Sequence, residues 1–399
     1  MTLHDLSATP AAVAPVAAEP VLPRRSSASG PRNVDQLLGE LRDEAANAAT
    51  RSVTFATGFD PLDAVLEGGF RQHDLVLVGG APGVGKTVAT LQWARNIARS
   101  GSTAIYACYE HDERTLLGRL LLLEAGDLLD KGAIGPNARR LAGEVALGRC
   151  ALADGLAQEP LLRVAYEHIE DYARRLWLVK VSGSRTDVEQ LAALVAQHGD
   201  GTTVLFVDYL QKVPVRPEPE HDAEKVLRVV EGLKDLALAF DVAVVSVAAA
   251  DHGGLGNRRL RLQHLRGSSA LAYESDIVLL LNDKVNAVSK VHLAYDPVKA
   301  STFKNRVVFS LEKHRAGQAH LDLEFRKDFS HYRFDPLGAF VAERCPTSAA
   351  TWSRWAGAHC FPRRRPETGR RGGGHATLAG RVSRRVAGVQ QACPRGAKR

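Results

Sequence analysis

The fold is decided by one stretch of the chain, Gly80-Ala81-Pro82-Gly83-Val84-Gly85-Lys86-Thr87. An apolar run from Asp74 to Gly79 precedes it, and a helical pattern from Thr87 to Arg99 follows it. Between a strand and a helix, a G-x4-G-K-[ST] sequence is typical of a P-loop, whose backbone N–H groups surround phosphates. We therefore predict a nucleoside triphosphate site at residues 80–87, with Lys86 on the phosphates and Thr87 helping to hold Mg²⁺. The alternative, a tight turn with a coincidental lysine, leaves the flanking pattern unexplained.

The composition indicates a folded protein in a reducing compartment. The 399 residues are enough for about two or three domains with a substantial apolar core. The five cysteines are scattered without a C-x-x-C pair, which argues against a zinc ribbon or a disulfide framework and favours the cytoplasm. We find no signal-peptide pattern and no apolar run near the roughly 20 residues that span a bilayer, so we expect no membrane segment.

The net charge of +7 is concentrated at the C-terminal end of the sequence. From Cys345 onward there are 12 Lys/Arg and one acidic residue, which leaves a net charge of about −4 for the rest of the chain. The overall charge therefore gives no reason to expect nucleic-acid binding by the body of the protein.

Alternating apolar runs and helical patterns predict an α/β fold. The predicted strands comprise residues 74–79, 103–110, 176–181, 203–210, 242–247, 276–281, 306–312 and 320–325. The predicted helices include residues 87–99, 112–129, 186–198 and 223–240. Because the strands are continuously apolar, we expect a mostly parallel central sheet flanked by helices on both faces. The last three strands have no helices between them, so they should form an antiparallel C-terminal edge.

Two acidic residues follow predicted strands that should end near the P-loop. Asp208 lies at the carboxyl end of the most apolar strand, where ligands of open α/β sheets collect, and it is the natural Mg²⁺ carboxylate. Glu110 ends another strand and would polarise an attacking water. A turn-capping aspartate and a solvated loop glutamate are the alternatives. Two acids on separate strands favour hydrolysis over binding alone.

Further motifs follow one another along the chain. They are Thr57-Gly58-Phe59 with Leu62-Asp63, the P-loop, Tyr109-Glu110, Asp208-Tyr209-Leu210-Gln211, Leu265-Arg266 with Ser268, Asp276, and Lys313-His314-Arg315-Ala316-Gly317. In this order they resemble the C-terminal motor domain of replicative DnaB-family helicases, over roughly residues 52–336. The Asp-Tyr-Leu-Gln tetrad is the most specific element. The resemblance implies a RecA-like fold with ATP and Mg²⁺ at the P-loop.

The resemblance also implies roles for individual residues. The implied catalytic residues are Lys86, Glu110, Asp208, Gln211, Lys313 and Arg315. Gln211 would stabilise the region beside it. Lys313 and Arg315 would enter the ATP site of a neighbouring subunit, which requires a ring, by resemblance a hexamer. Two solvent-facing cations on an edge strand are the alternative for this pair.

The chain divides into four segments on the same grounds. Residues 1–32 read as a disordered arm, 33–51 as a linker-helix region, 52–340 as the RecA-like ATPase domain, and 345–399 as a basic disordered tail. The linker helix would dock on a neighbour or pack locally. The arm stands where the family has an N-terminal domain that meets primase, so we expect no primase-binding domain. The tail could bind nucleic acid non-specifically, or it could be an out-of-frame translation without a role.

One family position differs in this sequence. The family has a Ser-Gln-Leu-Asn-Arg-like stretch after the strand at 242–247, and its glutamine senses the γ-phosphate. This chain has Ala248-Ala249-Ala250-Asp251-His252 instead. Because Ala249 has no hydrogen-bonding side chain, we expect weakened coupling between hydrolysis and DNA movement, but not a loss of hydrolysis itself.

The loop that follows, from Asp251 to Arg266, is rich in basic residues and is called the basic loop below. The residues predicted to bind DNA are Arg258, Arg259, Arg261 and Arg266, accompanied by His264. In a ring they would face the channel and grip the phosphates of a single strand without reading its sequence. An ordinary solvated loop is the alternative, and no aromatic residue is interleaved to stack on bases.

Three functions are compatible with these observations. The leading hypothesis is an ATP-dependent DNA helicase or single-stranded DNA translocase of the DnaB-like type, with ATP sites shared between subunits. The second is a non-unwinding ATPase of the RecA superfamily that serves as a nucleotide-driven switch or assembly factor, which the missing glutamine favours. The third is an ATP-binding interaction protein without turnover, against which the presence of Glu110, Asp208 and Arg315 argues.

Overall fold

A computed structural model of the chain describes residues 33–46, 53–129, 136–251, 253–288 and 301–342. The predicted arm over residues 1–32 and the predicted tail over residues 345–399 lie outside these residues. Residues 47–51 of the predicted linker region lie outside them as well.

The described strands form one large sheet and one small sheet. The small sheet pairs β1 (Thr54–Phe55) with β2 (Phe70–Arg71). The large sheet contains β3 (Leu75–Gly80), β4 (Thr103–Cys108), β5 (Leu176–Lys180), β6 (Thr203–Asp208), β7 (Ala243–Ala249), β8 (Ile277–Asp283), β9 (Arg306–His314), β10 (Leu321–Asp328), β11 (Arg333–Phe334) and β12 (Ala339–Phe340). Their order is β11-β10-β9-β8-β3-β7-β6-β4-β5, with β12 also on β10. Strands β3 to β8 pair in parallel, and β9 to β12 pair antiparallel.

Helices cover both faces of the large sheet. The helices are α1 (Val34–Ala46), α2 (Asp60–Val65), α3 (Lys86–Arg99), α4 (Glu113–Leu128), α5 (Pro136–Ala146), α6 (Leu152–Gln158), α7 (Pro160–Tyr172), α8 (Val188–His198), α9 (Asp222–Ala239), α10 (Ser268–Glu274) and α11 (Lys284–Ala287). Among the described residues, no helix is long and apolar enough to cross a membrane.

The parallel strands are apolar throughout because both of their faces are buried. Along β3, Val76 and Val78 belong to one core, together with Trp93 of α3, whereas Leu75 and Leu77 belong to a second core on the opposite face. This alternation places α3 and α4 on one face of the sheet and α8 and α9 on the other. The predicted mostly parallel sheet with an antiparallel C-terminal edge is confirmed.

The two ends of the parallel strands define two opposite edges of the sheet. Gly80, at the carboxyl end of β3, pairs with Leu281, so the P-loop begins at the carboxyl edge. On β9, which runs the other way, His314 pairs with Ile277 at the amino end of β8. The residues around His314 therefore lie at the edge opposite the P-loop.

Two strands end at residues other than those predicted. Strand β4 ends at Cys108 rather than at Glu110, and β9 continues to His314. Strand β9 lies between β8 and β10, so the alternative that places Lys313 on an edge strand is wrong. The helix predicted over residues 186–198 is capped by Asp187, whose carboxylate accepts hydrogen bonds from the backbone N–H groups of Glu189 and Gln190.

Candidate nucleotide-binding site

The P-loop joins β3 to α3 through a glycine that no other residue could replace. Gly85 has φ of +105°, in the left-handed region. A Cβ built on it would lie 2.6 Å from the ring of Phe329 and 2.7 Å from that of Phe334. Backbone conformation and close packing therefore both require glycine at this position. The first turn of α3 follows at once, so its free N–H groups face the loop, as a phosphate site requires.

Lys86 is the first residue of α3, and its ammonium folds back on the loop. Its Nζ donates hydrogen bonds to the carbonyl oxygens of Gly80 (2.9 Å) and Ala81 (3.1 Å). Burial lowers the pKa of Lys86, and the negative charges of Asp208 and Glu110 oppose that shift. Both carboxylates therefore lie close enough to act electrostatically on Lys86.

Asp208 and Thr87 are in direct contact. The Thr87 hydroxyl donates to Oδ2 of Asp208 at 2.7 Å, and the Tyr106 hydroxyl donates to the same oxygen at 3.0 Å. Burial, with the charge of Asp208, raises the pKa of Tyr106 well above its ordinary value, so the phenol stays protonated and remains a donor. A hydroxyl and a carboxylate side by side at a P-loop are the oxygen ligands that suit Mg²⁺. The residues present thus fit the predicted metal.

Glu110 lies in the same cleft but outside the strand in which it was predicted. It is an exposed residue two positions beyond the end of β4. The chain turns after this strand, since the backbone N–H of His111 donates to Sγ of Cys108 (3.3 Å) and Asp112 already caps α4. Lys86, Thr87, Glu110 and Asp208 all line one cleft of about 440 Å³. This volume is typical of small-ligand sites.

The cleft contains two polar residues that the sequence analysis did not predict, His111 and Arg119. Arg119 projects from α4 into the cleft, and its Nη2 lies 3.0 Å from Nε2 of His111. Burial and the positive charge of Arg119 lower the pKa of His111, so His111 is neutral near pH 7. Arg119 adds a cation to the cleft, and because it lies in a helix rich in leucine, nothing in the sequence indicates that it faces the cleft.

The aromatic wall of the cleft comes from the C-terminal edge of the sheet and lies against the P-loop at Gly85. Phe329 and Tyr332 line the cleft, and the guanidinium of Arg119 lies 5.3 Å from the Tyr332 ring centroid. Arg333 holds this turn in place, since it is ion-paired with Asp328 (3.1 Å) and with Asp127 of α4. The cleft therefore combines a polar phosphate end with two aromatic rings.

Gln211 contacts the end of β7 at Ala249. Its Oε1 accepts a hydrogen bond from the backbone N–H of Ala249 at 3.0 Å. Its Nε2 is buried, with no hydrogen-bond partner in the described part of the chain. Ala249 lines the cleft with a methyl group only. Its carbonyl accepts from the N–H of Arg266 at 3.1 Å, which ties β7 to the end of the basic loop.

The basic loop presents fewer free charges than its sequence suggests. Arg259 is 8% exposed and is ion-paired with Asp322, while Arg261 is ion-paired with Glu312 at 2.5 Å. The prediction that all four arginines face a strand of DNA is therefore wrong for Arg259, which is buried in its ion pair with Asp322. The guanidinium of Arg261 is mostly occupied by its ion pair with Glu312. Arg258 and Arg266 are exposed, and their DNA-binding role stays a prediction.

Lys313 and Arg315 lie at the amino edge of the sheet, away from the cleft of their own subunit. The Lys313 ammonium donates to the carbonyls of Ala272 (2.6 Å), Tyr273 (3.3 Å) and Ser275. Arg315 donates to Asp276 (3.0 Å) and Tyr273 (2.8 Å), and its side chain is 54% exposed. Neither cation can therefore serve the P-loop of the same chain.

The fold and the cleft together define a RecA-like P-loop domain. The family described as DnaB-like helicase C terminal domain matches residues 54–334, and the chain belongs to this family. The chain is similar to the replicative DNA helicase DnaB of Treponema pallidum, with 26% identity over 232 residues that cover 58% of this chain and 48% of that protein.

Two further similarities agree with this assignment. The replicative DNA helicase DnaC of Bacillus subtilis is 24% identical over 332 residues, which cover 79% of this chain and 66% of the relative. The chain thus spans less than two thirds of either relative. Among solved structures, a DnaB-like replicative helicase superposes with a TM-score of 0.59 at 20% identity, over 76% of this chain and 68% of that chain, which supports the fold.

Proposed function

We propose that this protein is an ATP hydrolase that moves on single-stranded DNA as a ring, as a helicase or translocase of the DnaB-like type. The observation that carries the proposal is the cleft in which the P-loop, the Thr87–Asp208 contact and Glu110 meet. Its residues supply a phosphate cradle, oxygen ligands for a cation and a carboxylate for water. Family membership and the names of the relatives support DNA as the polymer on which the protein moves.

In this proposal the side chains divide the work of phosphoryl transfer. Lys86 and the P-loop amides bind the β and γ phosphates, and Thr87 with Asp208 holds Mg²⁺, which when bound supplies positive charge to the triphosphate. Glu110 orients a water whose oxygen attacks the γ-phosphorus, and it accepts the proton that this water loses. The bond from the γ-phosphorus to the bridging oxygen breaks, and ADP leaves. Gln211 keeps the end of β7 in position.

The proposal includes a site shared between subunits. Arg315, with Lys313, lies at the edge of the sheet opposite the P-loop, so its charge is available to the site of another copy of the chain. An arginine supplied in trans offsets the negative charge that develops on the transferred phosphoryl group. We propose a hexamer by family membership, with α1 as the linker helix between subunits and residues 52–340 as the ATPase domain.

A second candidate is a non-unwinding ATPase that acts as a nucleotide-driven switch. Ala249 favours it, because at this wall of the cleft a methyl group replaces the side chain that would report the γ-phosphate. The two candidates share the hydrolytic site and differ in whether hydrolysis responds to DNA.

Steady-state ATP hydrolysis, with and without single-stranded DNA at two salt concentrations, tests both candidates. A motor is expected to be stimulated by DNA, and the stimulation should fade as salt screens phosphate contacts. A rate that is indifferent to DNA would favour the switch. Absence of hydrolysis in the presence of Mg²⁺ would overturn both.

A further inference from the structure

Lys313 occupies the C-terminal end of α10, and its hydrogen bonds are saturated there. An ammonium has three N–H donors, and three carbonyl oxygens accept from this one, those of Ala272, Tyr273 and Ser275. These carbonyls belong to the last turn of α10 and the residue after it, where a helix has no backbone donors of its own to offer. Lys313 therefore caps α10, and Arg315 adds one more bond to Tyr273.

The other end of α10 is joined to the basic loop. Gly267 begins the helix with φ of +81°, and a Cβ at this position would lie 2.4 Å from Val226 of α9, so this end is tightly packed. The preceding residue, Arg266, is exposed, and its backbone is bonded to Ala249 at the cleft. Leu271, in the middle of the helix, is fully buried. The helix α10 therefore connects the carbonyls that Lys313 caps directly to the end of the loop at Arg266.

The two possible partners of Lys313 exclude each other. A phosphate oxygen of a neighbouring subunit can receive an N–H from Lys313 only if at least one carbonyl of α10 gives it up, because all three donors are in use. The carbonyl that is released loses a charge-assisted hydrogen bond. The ammonium thus has two discrete arrangements, and two arrangements of one element are the physical requirement for coupling between sites.

We propose that Lys313 is a positioning residue that exchanges between the C-terminal end of α10 in its own subunit and the triphosphate of a neighbour. When the neighbour binds ATP, α10 loses its cap and the end of the basic loop at Arg266 is loosened. This route runs from the ATP site of one subunit to the DNA loop of the next, and it does not use the side chain at position 249. The inference rests on the proposed ring ATPase and adds a specific connection to it.

Hydrogen exchange in mixed rings tests the exchange of Lys313. One subunit carries Lys86→Ala, so that it does not bind nucleotide, together with Tyr273→Phe. Because the Tyr273 side chain is 76% exposed, its replacement by phenylalanine should disturb little. The replacement removes one oxygen atom, so the α10 peptide of this subunit is recognised by its lower mass. The other subunit is unchanged. On addition of a non-hydrolysable ATP analogue, amides at the C-terminal end of α10 in the marked subunit should exchange about tenfold faster or more, because a loss of about 1.4 kcal/mol in hydrogen bonding opens them that much more often.

A third substitution on the marked subunit provides the comparison. With Lys313→Met, the α10 peptide should exchange fast without nucleotide and should not respond to the analogue. Lys180→Met, which removes a lysine from the far strand β5, is the matched control and should leave the response intact.

The outcomes separate this inference from the proposed function. Rings that bind the analogue but show no change in the marked α10 would overturn the exchange and leave the ATPase standing. A response that survives Lys313→Met would also overturn it, since another residue would then carry the signal. A chain that forms no ring or binds no nucleotide would overturn both.

Discussion

Replacing Arg315 with alanine should abolish hydrolysis in the ring without unfolding the subunit. Along β8, the step from Ile277, beside His314, to Leu281, beside Gly80, is about 13 Å. Arg315 lies beyond one end of this span and the phosphates beyond the other, so the arginine cannot reach the ATP of its own chain. An arginine provided in trans is worth about 10³-fold or more in kcat. We expect a loss of that size for Arg315→Ala, with ATP still bound.

The cost of this substitution to folding should be small. The Arg315 side chain is 54% exposed, and its ion pair with Asp276 is therefore screened by solvent. Exposed pairs contribute about 1 kcal/mol or less. Asp276 also keeps Lys234, which lies 2.7 Å away, so its carboxylate is not left unpaired. Urea unfolding of the variant should accordingly stay close to that of the unchanged protein.

A complementation assay distinguishes a contact in trans from one in cis. The Arg315→Ala subunit keeps an intact P-loop, and a Lys86→Ala subunit keeps an intact arginine. If the two mix at random in equal amounts, about a quarter of the interfaces join an intact P-loop to an intact arginine, so about a quarter of the full rate should return from two inactive variants. No recovery in rings shown by native mass spectrometry to contain both subunits would refute the assignment. Full activity of Arg315→Ala alone would refute it as well.

Three other changes probe separate parts of the structure. Glu110→Gln should abolish turnover but preserve binding of a fluorescent ATP analogue, and unchanged hydrolysis would remove Glu110 from its proposed role. Asp187→Ala deletes the capping box of α8, which is remote from the cleft, and should cost about 1 kcal/mol in urea unfolding with ATP binding unaffected. Burial, and then the charge of Arg71, lowers the pKa of His314, so the unfolded chain binds this proton more readily than the folded one. The free energy of unfolding should therefore fall as the pH drops below about 6.5. His314→Gln should lessen the difference in this free energy between about pH 7.5 and 5.5. An equal pH dependence in both proteins would show that His314 is not its cause.

Much of the fold could be predicted because its signals are local. The strand at Thr203–Asp208 is apolar at every position between its first residue and its aspartate, as expected for a parallel strand covered on both faces. The P-loop requires a glycine before its lysine, and the structure shows the same need at Gly85 through φ and through contact with Phe329. Asp187 and Gln190 stand three residues apart, which is enough to identify a helix start.

The parts that escaped prediction depend on contacts between distant segments. Phe329 and Tyr332 reach the P-loop only because β10 closes the antiparallel edge. Arg259 is buried because Asp322, more than sixty positions later, pairs with it, and a pattern confined to the loop contains no sign of this. Arg119 faces the cleft through the orientation of α4, which is set by packing. The sequence shows which charged residues are present, but it does not show which of them form ion pairs with a residue far along the chain.

These pairings change what the basic loop can contribute to coupling. An arginine held in a buried ion pair cannot leave for a DNA phosphate without exposing an unpaired carboxylate, which is costly in a low-dielectric site. Arg259 with Asp322 therefore fixes one side of the loop to the sheet. The other side ends at Arg266, whose backbone is bonded to Ala249 and whose chain continues directly into α10. Because one side of the loop is anchored at Arg259 and the other side continues into α10, a shift of α10 would act on the exposed cation Arg266 while the side at Arg259 stays in place.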